Sequence, residues 1–114
     1  MPDAAGGEAR DRAGDAAEAA HPRHRLDPLL QRPVPFSIAA LLAAADEAEF
    51  AFVRDSVELS DSALSKQASA LEAAGYVAVR KGFVGKFPRT WLSMTPQGRA
   101  AFAAHLATLR EIAG

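Results

Sequence analysis

A mostly helical α+β fold is predicted by two changes of hydrophobic period along the chain. From Val34 to Leu71 apolar residues recur at helical spacing, and between Tyr76 and Met94 the alternation shortens to that of a β-hairpin. After Thr95-Pro96 the helical spacing returns. The predicted order is three helices, a two-stranded hairpin and a closing helix. A length of 114 residues allows one domain at most and excludes a large multi-domain enzyme.

Residues 1–25 hold no Leu, Ile, Val or aromatic side chain and are rich in Ala, Gly and charge, so a disordered tail is expected there. Residues 26–114 are then the folding unit. Leu26-Asp27-Pro28-Leu29-Leu30 suggests a lead-in turn, with Asp27 able to cap it and Pro28 at a first helical position. Pro33 and Pro35 are expected to delay the first long helix, which runs from about Val34 to Ala45 with Phe36, Ile38, Leu41 and Leu42 on faces suited to burial. Phe50, Phe52, Val53 and Val57 mark a short second helix. Ser60 is a good N-cap for the third, Asp61 complements its dipole, and Leu64, Ala68 and Leu71 give its buried stripe. Gly75 stops it in a left-handed position. Tyr76–Lys81 and Arg89–Met94 read as paired strands joined by a loop over Gly82–Pro88. Thr95 caps the last helix with Pro96 in its first turn, and Phe102, Leu106, Leu109 and Ile112 form its apolar stripe.

The charge total conceals an asymmetry. Thirteen Lys+Arg against 14 Asp+Glu give a net charge of −1, yet the three lysines, Lys66, Lys81 and Lys86, all fall between Ser60 and Arg99. Arg80, Arg89 and Arg99 join them there against only Asp61 and Glu72, whereas residues 26–59 are predominantly acidic. Phosphate contacts are local and screening is short-ranged, so a near-zero total does not exclude nucleic acid. The absence of cysteine removes disulfides, thiolate metal sites and thiol nucleophiles. No stretch has the ~18–20 apolar residues of a membrane span, and the N-terminus lacks the apolar block of a secretory signal. The expected setting is the cytoplasm.

Two short helices followed by a third that opens with small polar residues make a helix-turn-helix pattern. The last of these would enter the major groove with its N-terminal half. Ser62, Ser65, Lys66, Gln67 and Ser69 point away from the Leu64/Ala68/Leu71 stripe and suit base and phosphate contacts: Gln pairs with adenine, Lys with guanine, and Ser reaches either. A solvated amphipathic helix would show the same polar face. The hairpin that follows carries Arg80, Lys81, Lys86 and Arg89, which favours a wing that grips the adjacent backbone or minor groove.

The runs Leu59–Gln67, Leu71–Val77, Lys81–Thr90 and Leu92–Arg99 together resemble the small winged helix-turn-helix transcriptional regulators related to the MarR and ArsR groups, over about Leu26 to Ile112. The resemblance implies a winged helix that binds double-stranded DNA, usually as a homodimer at a palindromic operator, and regulates transcription, here most simply as a repressor. Members often carry His at the position of Gln67, a larger residue at Ala68 and a basic residue at Pro35; the first two departures bear on which bases are read.

Phe102, Leu106, Leu109 and Ile112 are the expected dimer contacts, because the small Ala100, Ala101, Ala103, Ala104 and Ala107 around them admit a close partner helix. Closure of the domain's own core is the alternative. His21, His24 and His105 form no ligand set, and Glu111, six positions from His105, falls on a different helix face, so no metal is expected and His105 is expected at a surface or interface. Tyr76 and Trp91 are expected to pack together on the sheet. No nucleophile triad, carboxylate pair or phosphate-cradling loop stands out, so neither catalysis nor a cofactor is expected. The competing readings are a winged helix that binds a protein partner, and a sensor whose ligand or metal sits at the dimer interface; the identity of any effector is open.

Overall fold

The computed structural model describes residues 20–114, so most of the expected tail, residues 1–19, lies outside the described residues. Pro22–Arg25 form one turn of 3-10 helix, and Arg25 Nη2 donates to the Glu111 carboxylate at 2.5 Å near the far end of the chain. Asp27 then organises the lead-in: its Oδ1 accepts from the backbone N–H of Leu29 at 2.8 Å and of Leu30 at 3.0 Å.

The elements that follow are α1 (Pro33–Ala43), β1 (Ala48–Glu49), α2 (Phe50–Ser56), α3 (Asp61–Ala73), β2 (Val77–Val84), β3 (Phe87–Met94) and α4 (Pro96–Ala113). Pro33 opens α1 rather than delaying it, and Pro35 sits buried in the first turn. First-turn N–H groups have no intrahelical acceptor, so neither ring costs a hydrogen bond. The helix ends at Ala43, two residues short of the expected Ala45, and Arg99 of α4 reaches across to donate to the Ala43 and Ala45 carbonyls that have no intrahelical partner.

α2 and α3 are joined by the tight turn Val57–Ser60. Glu58 takes a left-handed φ of 58°, and Leu59 N–H returns to the Arg54 carbonyl at 2.9 Å. The end of α3 uses the same device with a glycine: Gly75 has φ 83°, and Tyr76 N–H bonds the Leu71 carbonyl at 2.9 Å. Ser60 caps α3 as expected, its Oγ accepting from Ala63 N–H at 3.1 Å.

The sheet is antiparallel, in the order β1-β3-β2. β1 is a strand that no sequence pattern announces; it pairs Ala48 with Leu92 and Glu49 with Trp91. The hairpin is longer and its loop shorter than expected. β2 and β3 pair from Val77↔Met94 to Val84↔Phe87, leaving Gly85-Lys86 as a two-residue turn. Gly85, with φ 63°, occupies the first central position, as a type II′ turn requires. Gly82 lies inside the strand because Trp91 covers it, and a Cβ there would meet the indole at 3.2 Å. Pro88 is admitted to β3 because β1 does not extend that far, leaving one side of the strand open at Pro88.

The core lies where α1, α2 and α3 meet the base of the sheet. Leu30, Ile38, Leu42, Val53, Leu64, Leu71 and Leu92 are among its fully buried side chains. α4 closes one side, with Phe36 and Phe102 ring centroids 5.6 Å apart. Its buried line is Gly98, His105 and Thr108 rather than the expected apolar stripe. His105 is a core residue, correcting its expected surface position: Nδ1 accepts the Asp27 N–H at 3.1 Å and the ring lies 5.8 Å from that of Phe36. Thr95 ties the ends of α3 and α4 together, its Oγ1 accepting from Gly98 N–H and donating to the Gly75 carbonyl at 2.6 Å.

Candidate nucleic-acid interface

α3 presents its polar side to solvent because Leu64, Ala68 and Leu71 are drawn into the core on the other. Ser62, Ser65, Lys66 and Ser69 are exposed, and Gln67 is half-buried at the edge of that face. Arg54 braces the start of the helix, with its guanidinium 2.7 Å from Asp61 and 2.8 Å from Asp55. These hydrogen bonds hold Arg54 well above the ordinary guanidinium value and Asp55 below the ordinary carboxylate value. Asp61 is thereby paired with a cation at the end of α3 that would approach phosphates.

Between α3 and the hairpin runs a concave groove of about 660 Å³. Ser65, Ser69 and Glu72 line it from the helix, Val79 and Lys81 from β2, and Thr90 and Leu92 from β3. Two of the five helix positions, Ser65 and Ser69, therefore open onto the same groove as Lys81 of the basic ribbon, whereas Ser62, Lys66 and Gln67 do not line it. Thr90 belongs to this surface although no charge signal in the sequence marked it; its pairing opposite Lys81 puts it there.

Strand alternation divides the four basic residues of the hairpin. Lys81 faces the groove and Lys86 stands exposed at the turn. Arg80 and Arg89 lie on the opposite face, each held by an acid. Arg80 donates from Nε and Nη2 to the two Glu47 carboxylate oxygens at 2.9 and 2.7 Å, and its guanidinium carbon lies 4.0 Å from the centroid of the Trp91 ring. The paired hydrogen bonds lower the Glu47 carboxyl and raise the Arg80 guanidinium from their ordinary values. Arg89 sits 3.4 Å from Glu49. Trp91 is thus the platform for Arg80, while Tyr76 donates its hydroxyl to Asp27 Oδ2; the two aromatics do not form the expected pair.

Of the expected dimer contacts, Phe102 is engaged with Phe36 inside the domain and Leu106 is half-buried, whereas Leu109 and Ile112 are 37% and 39% exposed. Among the described residues no group of three or more His, Cys, Asp or Glu side chains is placed to hold a metal, and no helix is long and apolar enough to cross a membrane.

No curated protein matches the chain. Among solved structures, a transcriptional regulator homologue from Pyrococcus horikoshii OT3 shares 25% identity at a TM-score of 0.71, over 75% of this chain and 84% of that one. The PcaV transcriptional regulator from Streptomyces coelicolor, solved with its natural ligand, aligns over 99% of this chain and 81% of its own at 14% identity and a TM-score of 0.66. A MarR family regulator from Rhodococcus sp. RHA1 aligns over 90% and 71% at 19% identity and a TM-score of 0.61. Residues 34–113 match the family described as winged helix DNA-binding domain, and they run from the second residue of α1 to the end of α4 with the whole sheet. With most of its length matched and its fold that of the MarR-type regulators, the chain belongs to the winged helix DNA-binding domain family.

Proposed function

We propose that the chain is a transcriptional regulator that binds double-stranded DNA sequence-specifically as a homodimer and represses by occupying an operator, without catalysis, in the cytoplasm. α3 lies in the major groove with Ser62, Ser65, Lys66, Gln67 and Ser69 at base edges and phosphates, and the hairpin lies on the neighbouring backbone or minor groove. The observation that carries this reading is the shared groove, in which Ser65 and Ser69 face Lys81 across a concave surface. Lys81 and Lys86 are the hairpin's principal phosphate contacts. Arg80 and Arg89 brace it through Glu47 and Glu49, adding long-range attraction more than direct contact.

Leu106, Leu109 and Ile112 form a second line on α4, one residue beyond the buried His105 and Thr108, and supply the two-fold contact. A symmetric pair sets its two recognition helices about 34 Å apart, one turn of duplex. Selection of genomic fragments with the purified chain tests the whole reading: the recovered sites share an inverted repeat with that spacing. Gln67→Ala then relaxes preference at one base position per half-site, at a cost of about 1–3 kcal/mol. Recovery of unrelated fragments, or a monomer by light scattering on the bound duplex, refutes it.

A further inference from the structure

The hairpin ends in apolar side chains where a phosphate-gripping tip would be polar. Phe83, Val84 and Phe87 are 72%, 53% and 64% exposed, so the chain's own core does not account for them. Alternation assigns their faces. Phe83 and its cross-strand partner Pro88 continue the groove side beyond Lys81 and Thr90, while Val84 and Phe87 occupy the other side. Around this blade stand two unpaired cations, Lys86 at the turn and Lys81 below it, while Arg89, paired with Glu49, lies 5.9 Å from the Phe87 ring centroid.

An apolar edge with a cationic collar complements the minor groove of a duplex, whose rims are phosphates and whose walls are deoxyribose. That groove is only about 6 Å wide and offers few groups to hydrogen-bond, so a blade that enters it acts by shape. We propose, resting on the DNA-binding reading above, that the hairpin tip is a wedge: Phe83 and Phe87 press into the minor groove flanking each half-site, part a base step and bend the duplex. Pyrimidine–purine steps unstack most easily, so the protein prefers TA or CA/TG there without contacting those bases by hydrogen bonds.

The test uses the full chain and a duplex recovered by the selection, with 2-aminopurine placed in turn at each flanking step. Wild-type protein raises the fluorescence at one step per half-site. Phe83→Ser with Phe87→Ser abolishes that rise, weakens binding about tenfold or more and leaves the slope of affinity against salt unchanged; both positions are exposed, and an unchanged circular-dichroism melt shows that the variant folds. Binding by wild type with every step still stacked, or equal affinity of the variant, overturns the wedge while DNA binding stands. A smaller oligomer for the variant in the absence of DNA also overturns it, since the tip then joins copies of the chain. Failure of wild type to bind any duplex removes both readings together.

Discussion

Replacing Lys81 and Lys86 together with alanine is the sharpest measure of how the hairpin meets DNA. Neither lysine has an acidic partner within 4 Å among the described residues, whereas Arg80 and Arg89 are held by Glu47 and Glu49. A phosphate contact made by an unpaired lysine releases a counterion; an arginine already neutralised by a carboxylate releases little. In a symmetric pair the double substitution removes four contacts, which flattens the slope of log affinity against log salt by about 3.6. Between 50 and 200 mM salt, the advantage of wild type over the variant shrinks about 150-fold. Replacing Arg80 and Arg89 together changes the slope by less than about 1, because guanidiniums already held by Glu47 and Glu49 displace few counterions from the duplex. Fluorescence anisotropy of a labelled operator fragment at four salt concentrations reads both slopes. A larger flattening from the arginine pair than from the lysine pair would show that the faces of the hairpin are assigned the wrong way round.

Other consequences concern the scaffold. Glu58 holds a left-handed φ of 58° in the turn between α2 and α3, a conformation costing an L-residue roughly 1–2 kcal/mol, so Glu58→Gly stabilises by about 0.5–1 kcal/mol after glycine's own entropy cost. A thermal melt shows this as a Tm higher by roughly 4 °C, and a lower Tm contradicts it. Gly98→Ala acts in the opposite direction, since the added methyl collides with the Tyr76 backbone carbonyl and forces α4 off the base of the hairpin. The loss is about 3 kcal/mol, visible in urea denaturation as a lower midpoint with an unchanged slope. Burial raises the Asp27 carboxyl, but the Tyr76 hydroxyl and the Leu30 and Leu29 amides more than offset this and hold it below the ordinary 3.8. Its contribution to folding is therefore complete above that value and is lost as pH falls through the lower folded-state value. Asp27→Asn reduces stability at neutral pH and flattens the acid limb of the Tm profile; an acid limb identical to wild type would remove Asp27 from it.

The helices were legible because each buries a one-sided stripe, and α3 and α4 also start at a residue whose side-chain oxygen accepts a first-turn N–H. Ser60 and Thr95 cap where their sequence positions suggested, and Leu64, Ala68 and Leu71 are the buried side of α3. β1 was not legible, since two residues carry no period and Ala48-Glu49 become a strand only because Leu92 and Trp91 stand beside them. The long hairpin was misjudged because Gly82 and Pro88 ordinarily signal a loop; here one makes room for an indole and the other sits where its strand lacks a second neighbour. Charge marked the segment proposed to meet DNA but not which of its cations are left unpaired. That division depends on strand parity and on Glu47 and Glu49, acids from a distant part of the chain. On α4 the sequence stripe and the buried line differ by one residue, since His105 and Thr108 are polar letters that the core accepts through hydrogen bonds to Asp27 N–H and the Ala104 carbonyl.

The two-residue turn at Gly85-Lys86 also constrains how this arm is able to change length. Adding one residue to each strand moves the tip outward by about 3.3 Å and exchanges its sides, so that the end pair Val84–Phe87 lands on the Lys81 flank instead of the Arg80 flank. Only extensions or deletions of two residues per strand keep the orientation, in steps of about 6.6 Å, close to the distance between successive phosphates along one DNA strand. Natural drift or deliberate redesign of this arm is therefore quantised, and variants with odd increments should be scarce among functional ones.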